Sequence, residues 1–176
     1  MASSHLAFFI SSLLLLPLAF PSIAAYGDIP QEKKSEVVVE GMVYCQSCDN
    51  YGPWSLSKAE PIASSKVSVT CKNYKNQVSF YKAFETEGNG YFFAELEGFQ
   101  MSNSLLDHPL QSCHVQLVSS PLGNCNLLSN VNYGPYGSPL RYENKRLYRK
   151  DYDVVIYAAG PLAFRPAAHC PAPAHH

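Results

Sequence analysis

The 176-residue sequence lacks several features that mark common functional classes. It has a single tryptophan, and its 13 lysines and arginines nearly balance 14 aspartates and glutamates. Without a cationic excess, there is no electrostatic reason to expect nucleic acid or an anionic membrane as a partner. No Gly-x-Ser-x-Gly motif lies near His108 or His114, and no Asn-x-Ser/Thr site occurs anywhere. We therefore expect no serine-hydrolase nucleophile and no N-glycosylation.

The chain also lacks an apolar run long enough to span a bilayer. Residues 6–9 and 13–20 are apolar, but serines and prolines interrupt them, and small residues follow. This layout is typical of a signal peptide, which we predict over residues 1–25, with cleavage after Ala24 or Ala25. The protein is therefore expected to be secreted, with no membrane contact after cleavage.

About 150 residues remain after cleavage, which is the size of one ordinary domain. Residues 26–35 are polar and are predicted to form a flexible leader. Residues 36–170 are predicted to form one β domain. The Ala/Pro/His-rich residues 171–176 are predicted to be a disordered tail. Three histidines of the C-terminal segment, His169, His175 and His176, make too weak a set for us to predict a metal site or any cofactor.

Six cysteines follow the signal peptide: Cys45, Cys48, Cys71, Cys113, Cys125 and Cys170. An even number in a secreted chain indicates three disulfides, although six cysteines allow fifteen pairings. A zinc site on Cys45 and Cys48 would need a second close pair, and the other cysteines are scattered singly. No βαβ pattern surrounds this pair, so a thioredoxin-like redox motif is not expected.

No window shows a sustained helical period, and residues 105–110 could form at most one turn. Strand-like runs are frequent, and they include residues 37–43, 66–72, 113–118 and 152–158. Two aromatic-rich runs, 78–84 and 91–96, flank a glycine and asparagine turn and are predicted to pair as a hairpin. These patterns predict an all-β fold: a disulfide-stapled antiparallel barrel or sandwich of six to eight strands.

A candidate carbohydrate site lies in residues 126–150, where asparagine, glycine and proline predict a long irregular segment. Tyrosine rings there can stack on sugar faces, and cationic side chains can bond hydroxyls or the carboxylates of pectic sugars. The alternative is that these tyrosines only cover the domain. With Trp54, which is a second possible platform, the candidate residues are Tyr133, Tyr136, Arg141, Tyr142, Lys145, Arg146, Tyr148 and Arg149.

Paired acids are the remaining catalytic possibility. Four glutamates flank the predicted hairpin, and two could face each other as in a glycosidase. We favour a solvated hairpin face instead and expect no catalytic residues. The four are Glu85, Glu87, Glu95 and Glu97.

The segment 40–48, Glu-Gly-Met-Val-Tyr-Cys-Gln-Ser-Cys, resembles the opening motif of the plant pollen Ole e I allergen and extensin family. The acidic, Gly-rich segment 84–92 and the spacing of the later cysteines are also similar to that family. Within it, the chain looks most like the cysteine-containing domain of proline-rich and arabinogalactan-type cell-wall proteins. The features are Asn-Tyr-Gly-Pro at 132–135 and the Phe-Arg-Pro to His-Cys ending at 164–170.

The resemblance implies a β-barrel-like fold with disulfides Cys45–Cys125, Cys48–Cys170 and Cys71–Cys113. It also implies a secreted, non-enzymatic plant cell-wall protein. We expect its partner to be wall polysaccharide, pectic, galactan or arabinogalactan, or the glycans of glycoproteins. The alternative function is a secreted protein-binding module, an inhibitor or signalling partner, on the same scaffold. A wall hydrolase is a third class, which only glycan turnover would support.

Overall fold

The computed structural model describes residues 34–50, 54–100, 105, 108–167 and 170. The predicted signal peptide, residues 26–33 of the predicted leader, the tail and the three C-terminal histidines lie outside these described residues. Within the described ranges, no helix has the length and apolar character needed to cross a membrane.

Ten strands form most of the described chain. They are β1 (Lys34–Cys45), β2 (Glu60–Pro61), β3 (Lys66–Lys72), β4 (Val78–Glu85), β5 (Tyr91–Glu95), β6 (Cys113–Ser119), β7 (Leu127–Leu128), β8 (Ser138–Tyr148), β9 (Tyr152–Ala159) and β10 (Leu162–Arg165). A four-residue helix, α1 (Pro109–Ser112), precedes β6. Single 3-10 turns lie at Cys48–Asn50 and Val131–Tyr133. The mostly β prediction is therefore confirmed.

The clearest sequence patterns lie in strands, and four strands were missed: the two-residue β2 and β7, and the longer β8 and β10. β3 has the predicted bounds, although its polar Ser68 and Thr70 are buried as well as its valines. β8 occupies much of the segment predicted to be irregular. Its last eight residues are all exposed, so they show no alternation of apolar and polar side chains. β10 is a four-residue buried run, too short to give a periodic signal.

The predicted hairpin of β4 and β5 is wrong in its pairing. Both strands lie close to the predicted positions, but β4 pairs with β3, whereas β5 pairs with β1. Thr86, in the connection from β4 to β5, is held by two hydrogen bonds to the segment before β3. Its hydroxyl donates to Ile62 O at 2.6 Å, and its N–H donates to Ser65 O at 2.9 Å. The glycine and asparagine turn therefore connects strands in two different parts of the sheet and does not close a hairpin.

The sheet is mixed and not closed into a barrel. Its order is β4-β3-β6-β8-β9-β1-β10-β7, with β2 and β5 also paired to β1. The expectation of a purely antiparallel sheet or barrel is wrong, because β1 pairs in parallel with β9 and with β10. β1 begins at Lys34, two residues inside the predicted leader, and Lys34 and Ser35 pair with β9.

The main core contains side chains from nearly every long strand. Val39, Val69, Phe92, Val115 and Phe164 are all fully buried within it. A smaller cluster of Val38, Val154 and Ile156 lies on the opposite face of β1 and β9, because successive side chains alternate across a strand. The sheet formed by β8, β9, β1 and β5 therefore has apolar side chains on both faces.

Three disulfides join the described elements: Cys45–Cys125, Cys48–Cys170 and Cys71–Cys113. These are the pairs that the family resemblance implies. Cys71 and Cys113 are direct partners in the β3–β6 ladder, so their bridge reinforces an existing pairing. The other two bridges start near the end of β1 and attach it to more distant parts of the chain.

Candidate functional site

Two aromatic residues that lie 79 positions apart meet at the surface. The rings of Trp54 and Tyr133 are in edge-to-face contact, with their centroids 4.9 Å apart. Each side chain keeps about half of its surface exposed, 47% for Trp54 and 49% for Tyr133. Tyr136 follows in the same loop and is 77% exposed. We call Trp54, Tyr133 and Tyr136 the aromatic site.

Hydrogen bonds hold the loop that carries Tyr133 against the domain. The Ser129 hydroxyl donates to Ala163 O at 2.6 Å, and the Asn132 side-chain amide donates to Pro161 O at 2.7 Å. These bonds attach the loop to β10 and to the residue before it. On the other side, the Leu117 N–H of β6 donates to Gly134 O at 2.9 Å. The loop is therefore anchored to two separate strands.

The backbone at Tyr133 has a conformation that tyrosine rarely adopts. Its φ is +60°, and that of Asn132 is +47°. Asparagine tolerates this left-handed region, but a tyrosine there is strained by about 1–3 kcal/mol. The Tyr133 carbonyl accepts from the N–H groups of Tyr136 and Gly137, at 2.9 and 2.8 Å. These contacts keep the tyrosine in its strained, outward position, as is typical of ligand-binding loops.

Trp54 is positioned by the loop that follows the first two cysteines. The buried Gln46 side-chain amide donates to Asn50 O at 2.9 Å and to Ser55 O at 3.1 Å. Asn50 in turn donates to Ser57 O at 2.7 Å. The neighbouring Cys48 forms the bridge to Cys170. The described residues on either side of Trp54, Asn50 and Ser55, are therefore both held by Gln46. The local sequence gave no sign of the contact between Trp54 and Tyr133.

His114 lies beneath the same loop. A Cβ added to Gly137 would lie only 2.5 Å from the His114 ring, so position 137 requires glycine. Burial lowers the pKa of His114, and the charge of Lys72 lowers it further. We therefore assign this histidine to packing under the loop and not to catalysis.

The remaining predicted sugar-binding residues lie on β8 or directly after it. The ladder between β8 and β9 shows that they are divided between the two faces of the sheet. Tyr142 lies opposite Tyr157, and their ring centroids are 5.8 Å apart. Tyr157 is buried and its hydroxyl lies 3.4 Å from His108 Nε2. Burial raises the pKa of Tyr157, as does Tyr142, while the charge of Arg146 opposes the shift. Arg146 and the 72% exposed Tyr148 share this face by register.

Arg141 and Lys145 lie on the other face of β8. The ladder skips two residues between Tyr142 and Lys145, so these two cations become neighbours on one face. The Lys145 ammonium pairs with Glu40 at 2.5 Å, and Glu40 also accepts from the Tyr91 hydroxyl at 2.9 Å. Arg149, just beyond β8, lines a cavity on this same side. The nine predicted residues therefore do not form one surface.

Three of the four glutamates that were candidates for paired acids have other neighbours. Glu85 pairs with Lys66 at 3.7 Å, and Glu97 pairs with Lys82 at 3.2 Å. Glu95 lies opposite Val38 in the β5–β1 ladder. Among the described residues, no group of three or more histidine, cysteine, aspartate or glutamate side chains is arranged to hold a metal ion.

Comparison with known proteins finds relatives of this chain among plant proteins. No family model matches the chain. It is 31% identical over 142 residues to the non-classical arabinogalactan protein 30 of Arabidopsis thaliana, covering 78% of the chain and 55% of that protein. It is 34% identical over 104 residues to a pistil-specific extensin-like protein of Nicotiana tabacum, covering 59% of the chain and 22% of that protein.

The solved structure of the major plantain pollen allergen Pla l 1 is also similar, with a TM-score of 0.54 and 22% identity. The alignment covers 77% of this chain and 98% of that one. The chain is a relative of Ole e I-type pollen allergens and of arabinogalactan and extensin-like proteins. The likeness to Pla l 1 establishes the fold alone.

The two sequence relatives are named as an arabinogalactan protein and an extensin-like protein, and neither is named as an enzyme. The chain spans about half of the arabinogalactan protein and less than a quarter of the extensin-like protein. The relatives therefore support a secreted structural or interaction role of the Ole e I and extensin type.

Proposed function

We propose that this chain is a secreted plant cell-wall protein that binds wall polysaccharide without catalysis, and that the aromatic site makes the principal contact. The relatedness to arabinogalactan and extensin-like proteins supports the setting. The contact between Trp54 and Tyr133 supports the binding mode, because two half-exposed rings from distant segments are held together there.

The physical basis is the apolar face of a sugar ring. Aromatic side chains offer a flat apolar surface, and tyrosine adds a hydroxyl that can bond to the sugar. The loop of Tyr133 is already fixed by hydrogen bonds to β6 and β10, so little conformational entropy is lost on binding. A pre-organised pair of rings suits one or two adjacent sugar units of a galactan or arabinogalactan chain.

Cationic side chains on β8 would add contacts to acidic polymers. Arg146 shares a face with the exposed Tyr142 and Tyr148, whereas Lys145 is already paired with Glu40. A pectic carboxylate would therefore meet Arg146 more readily than Lys145, through a charge-assisted hydrogen bond. This contact would weaken with salt, whereas stacking on the aromatic site would not.

The test is a glycan array of the secreted, oxidised domain against pectic, galactan and arabinogalactan polymers, followed by affinity measurements on the best polymer. Trp54→Ala and Tyr133→Gly should each weaken binding on the order of ten-fold, as expected for loss of an aromatic anchor. Glycine is chosen at 133 because it adopts a positive φ without strain, so the loop keeps its course.

Tyr81→Ala is the matched control, since Tyr81 is 61% exposed on β4 and belongs to no candidate site. It should leave the affinity unchanged. Equal losses in all three variants, or full affinity in Trp54→Ala and Tyr133→Gly, would remove the aromatic site from the proposal. Turnover of any polymer would contradict the non-catalytic assignment.

A further inference from the structure

The outward face of β8, β9, β1 and β5 contains a groove that the aromatic site does not use. Ladder register places Val38, Val154 and Ile156 on this face, and they form the second apolar cluster, against which Tyr152 packs. The main core lies on the opposite face of the same strands. These three side chains are themselves buried, so this face carries a second, small apolar cluster.

A cavity of about 270 Å³ opens at one end of this face. Its apolar lining includes Val38, Phe93, Leu147 and Tyr152, from all four strands. Phe93 is 39% exposed and Leu147 is 44% exposed, so apolar surface is accessible at the mouth. We call this cavity and its rim the outer groove.

The rim of the outer groove is acidic. Among the described residues, its lining includes Glu36, Glu95, Glu97 and the cation Arg149. Lys82 pairs with Glu97 at 3.2 Å, but their side chains are 43% and 74% exposed. Such an exposed pair contributes little stability and can exchange with a competing cation. The groove therefore combines an apolar floor with an excess of carboxylates.

We propose that the outer groove binds a lysine- or arginine-bearing peptide segment of a partner protein. A basic side chain can lay its aliphatic stem on Phe93 and Leu147 while its charged head reaches the carboxylates of Glu95 and Glu97. An aromatic ring beside a cation adds further attraction. Uronate polymers are disfavoured here, since their carboxylates would meet the exposed Glu95 and Glu97.

The size of the groove supports the same occupant. Pockets for drug-sized molecules are roughly 300–1,000 Å³, so a cavity of about 270 Å³ accommodates one or two side chains, not a run of sugar units. This site is independent of the polysaccharide proposal, because it shares no residue with the aromatic site.

The test measures fluorescence anisotropy of a labelled, capped hexa-lysine peptide with the full secreted protein. Glu95→Gln and Glu97→Gln should each weaken binding by about two- to five-fold, the range for exposed ion pairs. Phe93→Ala should weaken it further than either. A hexa-glutamate peptide should not bind. The variants should retain the polysaccharide affinity of the unaltered protein, which separates this proposal from the previous one.

Glu60→Gln is the matched control, because Glu60 is exposed on β2 and does not line the groove. It removes the same charge and should leave binding unchanged. An equal loss in Glu60→Gln would show general attraction to the acidic surface and overturn the proposal. Spermine binding as tightly as the peptide would also overturn it, in favour of a site for small polycations. Absence of peptide binding would contradict it directly.

Discussion

At the scale of single residues, Gly41 shows how tightly the core constrains the sequence. It lies in β1 opposite Phe92, and a Cβ at this position would be 2.6 Å from the Phe92 ring. Phe92 is fully buried and cannot move without disturbing the core. Gly41→Ala should therefore destabilise the protein by about 1–3 kcal/mol, the usual cost of overpacking. The measurement is denaturant unfolding with the disulfides intact.

Gly88→Ala provides the control for this prediction. Gly88 is exposed in the turn before β5, and an added Cβ would contact nothing within 4 Å. The free energy of unfolding of the Gly88→Ala variant should differ from that of the unaltered protein by only a few tenths of a kcal/mol. Equal effects at the two glycines would mean that the close approach of Phe92 is not what requires glycine at 41.

Between strands, a polar row connects β8 to β5 across the outward face. Lys145 pairs with Glu40, and Glu40 accepts from Tyr91. Burial, followed by the hydrogen bond and charge of Glu40, raises the pKa of Tyr91 to about 12. In the unfolded chain, tyrosine ionises near pH 10. The stability contributed by neutral Tyr91 is thus complete below pH 10 and is lost as the pH rises through about 12.

Glu40→Gln should bring the pKa of Tyr91 closer to 10 and reduce this alkaline loss of stability. The measurement is the tyrosinate absorbance titration, in which the difference from Tyr91→Phe isolates one tyrosine among twelve. Glu85→Gln is the control, since it removes a carboxylate that pairs instead with Lys66. A Tyr91 titration that does not respond to Glu40→Gln would show that burial alone sets its pKa.

The same elements show what sequence can predict. β3 and β9 were predictable because their own residues carry strand patterns. β4 and β5 were placed correctly but paired wrongly, because a turn signal does not specify which strands form the ladder. Six of the nine proposed sugar-binding residues lie on or beside β8, and only its register revealed that they face two ways. The contact of Trp54 with Tyr133 depends on the complete fold.

For the whole molecule, β1 is the organising strand. It pairs with β9, β5, β10 and β2, and the parallel ladders to β9 and β10 require long connections through the rest of the chain. β1 has parallel partners and antiparallel partners at once. Its apolar run indicates burial on both faces but not which strands lie beside it, so neither these ladders nor the open sheet could be predicted from local sequence. Two disulfides, Cys45–Cys125 and Cys48–Cys170, then join the end of β1 to later parts of the chain.

The burial of these bridges predicts the order in which they open. Cys71, Cys113 and Cys125 are buried in the main core, and the partly buried Cys45 packs against it, whereas Cys48 and Cys170 are both partly exposed and belong to neither core cluster. Mild reductant should therefore open Cys48–Cys170 first. The resulting species should stay folded, because β10 remains paired to β1 and Gln46 N–H still donates to Phe164 O at 2.8 Å.

Opening Cys45–Cys125 should have a larger effect on the folded state, since Cys125 is buried in the main core. Loop length does not separate the two bridges, because separations of 80 and 122 residues each constrain the unfolded chain by roughly 4–5 kcal/mol. Alkylation with mass spectrometry should find the first label on Cys48 and Cys170, with far-UV circular dichroism unchanged. Full reduction in denaturant gives the reference in which all six cysteines are labelled. Early labelling of Cys71 or Cys113 would contradict the prediction, because it would mean that the core opens before the C-terminal bridge.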